Sequence, residues 1–104
     1  MANILDCLVG RDAISAENVH DYVQFSFEND IHLSIYNDIA LDPGTVEIAD
    51  FAGRELISVK QGDDSISLQF SAHACISIDM RHEAYRGPEA LELHRRSEPP
   101  VIWN

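Results

Sequence analysis

Apolar and polar side chains alternate with a period of two through Val23, Phe25 and Phe27, and again through Ile66, Leu68 and Phe70. Side chains two apart on a strand share a face, so this spacing predicts half-buried β-strands. A second alternating run follows each of these, Ile31, Leu33 and Ile35 in one case and Ala74, Ile76 and Ile78 in the other. The break between runs is short enough for a hairpin, which makes the neighbouring strands antiparallel.

The two stretches read as one pattern written twice. Sliding the chain by 43 positions superposes Gly10, Arg11, Ile14 and Ser15 on Gly53, Arg54, Ile57 and Ser58. The match continues without a gap: Asp21 falls on Asp64, Phe27 on Phe70, Ser34 and Ile35 on Ser77 and Ile78, and Gly44 on Gly87. The expectation is one domain, 1–104, holding an internal repeat of about 10–48 and 53–91. First strands are expected at 13–17 and 56–60, with Gly62, Asp63 and Asp64 turning the second copy into its next strand. Fourth strands are expected at 45–49 and 89–94, and a last strand at 101–103 after Pro99 and Pro100, where Trp103 covers the open end of the core. Residues 15–24, taken alone, also read as a short helix with Ser15 as N-cap. Their partner segment carries Gly62, Asp63 and Asp64 where a helix interior would be, which favours the strand reading.

The fold class expected is therefore all-β: two pseudo-symmetric antiparallel meanders forming a small barrel or sandwich. A unit of about forty residues buries too little apolar area to fold alone, so the copies must share one core. Sheet edges left uncovered pair readily with another chain, and a homodimer is the expected oligomeric state.

Charge changes the picture of possible partners. The chain carries 18 acidic against 7 basic side chains, a formal net charge of −11. That balance argues against nucleic acid and anionic membrane and would attract a basic protein partner, although solubility alone is the simpler account of an acidic surface. The charge is uneven: residues 1–50 hold ten carboxylates against Arg11 alone. No apolar run approaches the roughly 20 residues of a membrane span, and residues 1–10 lack the basic start and apolar stretch of a signal peptide. A cytoplasmic location follows as the expectation. Cys7 and Cys75 are the only cysteines and read as reduced thiols.

Candidate chemistry lies on the strand faces opposite the apolar ones. In the first copy that face holds Asp30, His32, Ser34 and Tyr36, and in the second His73, Cys75, Ser77 and Asp79. If the symmetry brings the two sets together, His32, His73 and Cys75 supply donors suited to zinc, although no paired-ligand spacing supports a metal and a solvated polar face explains them as well. No metal or other cofactor is expected. Cys75 with His32 or His73 and Asp79 also has the residue types of nucleophilic catalysis, but a mid-strand cysteine is more often structural. Arg11 and Arg54 are expected to pair with Asp21 and Asp64 at the turns of each copy. Tyr85 either packs its ring over the end of the core or anchors a partner.

The segment Glu83-Ala84-Tyr85-Arg86-Gly87-Pro88-Glu89-Ala90, with a Gly-Arg start, a strand repeat and a closing Val101-Ile102-Trp103, resembles a family of small acidic bacterial β-proteins. Some proteins of that look are immunity proteins of toxin systems. The resemblance implies an inhibitor that binds a basic toxin. The departures lie at Glu28-Asn29-Asp30 and Ser71-Ala72-His73-Ala74, where an Asp-Gly hairpin turn is expected. The functional expectation is a non-enzymatic protein-binding or assembly module, with a small-ligand or metal-binding β-domain as the alternative. The expected binding residues are Asp30, His32, Tyr36, His73, Cys75, Asp79 and Tyr85.

Overall fold

Burial on the strands follows the alternation in the sequence. The computed structural model describes residues 4–41 and 47–103. β1 (Ala13–Val19), β2 (Tyr22–Phe27) and β3 (Ile31–Ile35) form an antiparallel meander, and Val23, Phe25, Phe27, Ile31, Leu33 and Ile35 point inward. β5 (Leu56–Gln61), β6 (Ser65–Phe70) and β7 (Cys75–Asp79) form another, which buries Leu56, Ile66, Leu68, Phe70, Ile76 and Ile78. Residues 15–24 are thus strand, turn and strand, not a helix. Among the described residues, no helix is long and apolar enough to cross a membrane.

Two short strands complete the sheets, and each joins the other half of the chain. β4 (Ile39–Leu41) pairs with β7, whereas β8 (Leu91–His94) pairs with β3 and carries β9 (Val101–Trp103) on its far side. The result is a five-stranded sheet, β1-β2-β3-β8-β9, and a four-stranded sheet, β4-β7-β6-β5. They do not close into a barrel, and their inner faces share one core in the manner of a sandwich.

That core is centred on phenylalanines drawn from both sheets. Phe70 stacks on Phe25 at 5.6 Å and on Phe27 at 6.4 Å, and Phe51 meets Phe70 edge-on at 4.9 Å. Phe51 comes from a 3₁₀ turn, Ile48–Phe51, that packs on β1. A second 3₁₀ turn, Ile4–Leu8, buries Leu5 and Leu8 and packs on β5. Trp103 is half-buried against the core.

The starts of β1 and β5 are tied by four reciprocal main-chain hydrogen bonds. Gly10 donates to Leu56 at 2.8 Å, Gly53 to Ala13 at 2.7 Å, Ala13 to Arg54 and Leu56 to Arg11, both at 2.9 Å. Gly10 and Gly53 reach this crossing with φ of 89° and 84°, a conformation that a side chain opposes. Just beyond, a bulge at Ile14 and another at Ile57 turn these side chains outward, which is why two isoleucines are exposed on edge strands.

Three expectations are corrected. Thr45 and Val46 lie outside the described residues, and Ile48–Phe51 is a 3₁₀ turn; the short strand of this half lies earlier, at Ile39–Leu41. The spacing of 43 also gives way after β3 and β7. Ile39 pairs with Ile78 as Leu91 pairs with Ile35, so these closing strands stand 52 positions apart, nine more than 43. Gly44, aligned with Gly87 in the sequence, lies outside the described residues. Finally, Arg11 and Arg54 do not pair with Asp21 and Asp64. Each Nε donates instead to the carbonyl four residues earlier, Cys7 at 3.0 Å and Asp50 at 2.7 Å, which ties each guanidinium to the end of a 3₁₀ turn.

The turn between β2 and β3 has Asn29 and Asp30 at φ of 65° and 58°, and that between β6 and β7 has Ala72 and His73 at 60° and 63°. Two successive positive φ values mark a type I′ turn, which suits Asn and Asp but costs an alanine about 1 kcal/mol or more. Replacing Ala72 by Asn and His73 by Gly is expected to raise unfolding stability by about 1 kcal/mol. Urea titration checks this; unchanged or lower stability would contradict the turn assignment.

Candidate functional site

The outward positions of the five-stranded sheet fall into rows, because its antiparallel strands are in register. One row runs Ser15, Ser26, His32, His94; the next runs Glu17, Gln24, Ser34, Glu92, Ile102. One step beyond the Val23–Ile35 pair, Tyr22 and Tyr36 stand with ring centroids 5.2 Å apart, tilted by 45°.

Hydrogen bonds link these rows. The Tyr36 hydroxyl donates to Glu92 Oε1 at 3.1 Å, and Glu92 Oε2 lies 2.9 Å from His94 Nε2. Ser26 Oγ and His32 Nδ1 lie 3.0 Å apart. Burial raises the Tyr36 hydroxyl above its ordinary titration range, and the Glu92 carboxylate beside it raises it further. The phenol therefore stays protonated and holds Glu92 in place.

At the tyrosine end the surface dips. One recess of about 130 Å³ is lined by Asp21, Tyr36, Arg86, Gly87 and Glu89. Another, of about 150 Å³, shares Asp21 and Arg86 as walls and reaches Tyr22 and Asn37. Arg86 spans the region: its Nε and Nη2 donate to Asp38 Oδ1 at 3.0 and 2.7 Å, and its Nη1 to the Asp21 carbonyl at 3.1 Å. Asn37 is only 4% exposed; its Nδ2 donates to the Asp79 carbonyl at 2.8 Å, while its Oδ1 has no partner. A buried acceptor without a donor costs about 1–3 kcal/mol.

The outer face of the four-stranded sheet has a different chemistry. Its central row is Lys60, Ser67, Ser77, Ala40, with the two serine hydroxyls 3.3 Å apart. A depression of about 300 Å³ on this side is lined in part by Asp38, Asp64, Ser77 and Asp79. Arg81 clasps both oxygens of Asp79, the shortest contact being 2.6 Å, and its side chain and backbone N–H hold that carboxyl down to about 2.

The sequence-derived residues divide between these surfaces. His32 and Tyr36 lie on the outer face of the five-stranded sheet. Cys75 and Asp79 lie on that of the four-stranded sheet, and His73 is exposed in the turn before it. The proposed convergence of His32, His73, Cys75 and Asp79 does not occur, because β3 and β7 share inner faces, so their outer faces point apart. Among the described residues, no group of three or more His, Cys, Asp or Glu side chains is placed to hold a metal. Asp30 is exposed in the β2–β3 turn, 3.6 Å from Arg96. Tyr85 is half-buried against the core, in line with its packing reading. Sequence reasoning missed Glu92 and His94, although Leu91-Glu92-Leu93-His94 alternates; it also missed Tyr22, Asn37 and Arg86, which only the fold brings beside Tyr36.

The Tyr36–Glu92 contact gives a pH signature. A phenol protonated more firmly in the folded than in the unfolded chain contributes stability that is complete below the unfolded pKa of about 10 and lost as pH rises through the higher folded value. Tyr36→Phe is therefore expected to lose about 1 kcal/mol at neutral pH, a gap that closes as pH rises through the raised folded-state value. Urea titrations of both proteins from neutral to alkaline pH test this, and a gap constant with pH would contradict it.

Compared with family models, with curated proteins and with solved structures, the chain matches none, so its functional reading rests on its own geometry.

Proposed function

We propose that this chain is a cytoplasmic, non-enzymatic binding module that presents the outer face of its five-stranded sheet to a basic protein. The observation that carries the reading is the acidic and aromatic surface around Tyr36. Glu17 and Glu92 lie in one cross-strand row, Tyr22 and Tyr36 stand in the adjacent row beside Gln24 and Ser34, and Glu92 is fixed between Tyr36 and His94. Carboxylates held by neighbouring side chains lose little freedom on binding, and tyrosines supply large contact area at low entropic cost. The net charge of −11 adds long-range attraction for a basic partner. The equivalent row of the other sheet, with Lys60, two serines and Ala40, offers neither feature. The resemblance to immunity proteins makes a basic toxin the first partner class to test.

The test compares capture from the source organism's lysate by the wild-type chain, by a Glu17→Lys/Glu92→Lys variant, and by a Ser58→Lys/Ser67→Lys control on the opposite face, after circular dichroism shows each folded. Wild type and control are expected to retain the same basic protein, less firmly as salt shortens the screening length below about 8 Å. The reversed variant is expected to lose it by about tenfold or more. Equal retention by the reversed variant would overturn the reading.

A further inference from the structure

We infer that two copies of the chain associate through the β9 edge, Ile102 against Ile102, joining their five-stranded sheets into one. The inference goes beyond the partner reading above and stands without it.

Each sheet ends in two edge strands, and the four differ in how they are closed. β1 and β5 each carry a bulge near their start, a 3₁₀ turn packed on them, and a charged, exposed side chain, Glu17 or Lys60. Bulges, charges and covering segments are the devices that keep an edge from pairing with another chain. β4 lies beside a depression lined by three carboxylates, Asp38, Asp64 and Asp79, and one guanidinium, Arg81, a balance that repels a second copy. β9 is different: its register with β8 is unbroken, and Val101, Ile102 and Trp103 are all apolar.

The free side of β9 offers main-chain groups at Ile102. The Trp103 carbonyl accepts from the Ala90 N–H at 2.6 Å, so the main chain of Trp103 turns toward β8. Hydrogen-bonding direction alternates along a strand, and the N–H and C=O of Ile102 therefore turn away from β8, to the edge. Two such residues related by a twofold axis exchange both bonds, each N–H donating to the other's carbonyl. Val101 of one copy then stands opposite Trp103 of the other. Both are half-buried against the core, and this contact covers area that they leave exposed. Ile102, 45% exposed on the outer face, meets its own equivalent.

Charge selects a second copy over a basic partner at this edge. Residues 94–104 carry Arg95 and Arg96 against Glu98, in a chain of net charge −11. A strand from a basic protein meets like charge here, whereas two acidic chains approach each other at least cost through ends without excess carboxylates. Antiparallel pairing about a twofold axis keeps both outer faces on one side, so the pair presents two tyrosine-bearing surfaces together.

Sedimentation equilibrium of the full chain, at concentrations up to about 1 mM because small interfaces form weak complexes, measures the association. The wild type is expected to dimerise, more tightly as added salt screens the mutual repulsion of its net charge. Ile102→Lys and Ile102→Glu are each expected to weaken the dimer by about tenfold or more, because like charges then face each other across the axis. An equimolar mixture of the two variants is expected to recover dimers, which a contact of position 102 with itself requires. Ile57→Lys, on the bulged β5 edge, is expected to behave as wild type. Positions 57 and 102 are both exposed, and circular dichroism reports whether each variant is folded. A wild type monomeric throughout the range, unchanged association in either Ile102 variant, or a mixture that associates no better than its components overturns the inference. The capture experiment reads the outer face separately, so either claim can fail alone.

Discussion

Phe70 sets the terms for the rest of the molecule. Its ring contacts Phe25 and Phe27 from the opposite sheet and Phe51 from the turn that packs on β1. Neither meander can bury these rings alone, so both halves fold onto one core or neither folds. The chain meets this requirement by exchange. β8 extends the sheet of the first half, β4 extends that of the second, and the 3₁₀ turns Ile4–Leu8 and Ile48–Phe51 pack on β5 and β1. The reciprocal hydrogen bonds at Gly10 and Gly53 hold the crossing.

With the inner faces committed to the core, the outer faces are free to differ. Positions 43 apart on comparable strands carry different chemistry: Gln24 and Ser67, Tyr22 and Ser65, Tyr36 and Asp79. On one sheet a tyrosine orders a carboxylate; on the other, Asp79 is neutralised by Arg81. Similar scaffolds thus present one surface with tyrosines and fixed carboxylates, and one of hydroxyls and a local ion pair. This asymmetry locates the proposed binding face.

The strands were legible because half-buried β-structure writes its period into the chain, and burial on β2, β6 and β7 follows that period residue by residue, while on β3 only Ser34, buried on the outer face, departs from it. Other features left no such mark. β4 is three residues long, too short for alternation to register, and its partner is chosen by the core. The turn at Ala72 and His73 adopts positive φ without the Asn or Gly that announces it. For the site, Tyr36 and His32 were placed on the correct face by their spacing with Ser34. Their grouping with Cys75 and Asp79 failed because related strands lie in different sheets, back to back. Glu92 and Arg86 lie about fifty residues from their partners, at separations of 56 for Tyr36 to Glu92 and 48 for Asp38 to Arg86, where only tertiary structure makes neighbours.

The central claim, that the tyrosine-bearing face is the working surface, is tested most directly by photo-crosslinking in the source cells. p-Benzoylphenylalanine is placed either at Gln24, in the middle of that face, or at Ser67, at the comparable position of the other sheet. The account predicts an adduct with one basic protein from position 24 and none from position 67. An adduct from position 67 alone, or none from position 24 with the chain folded and expressed, would contradict it.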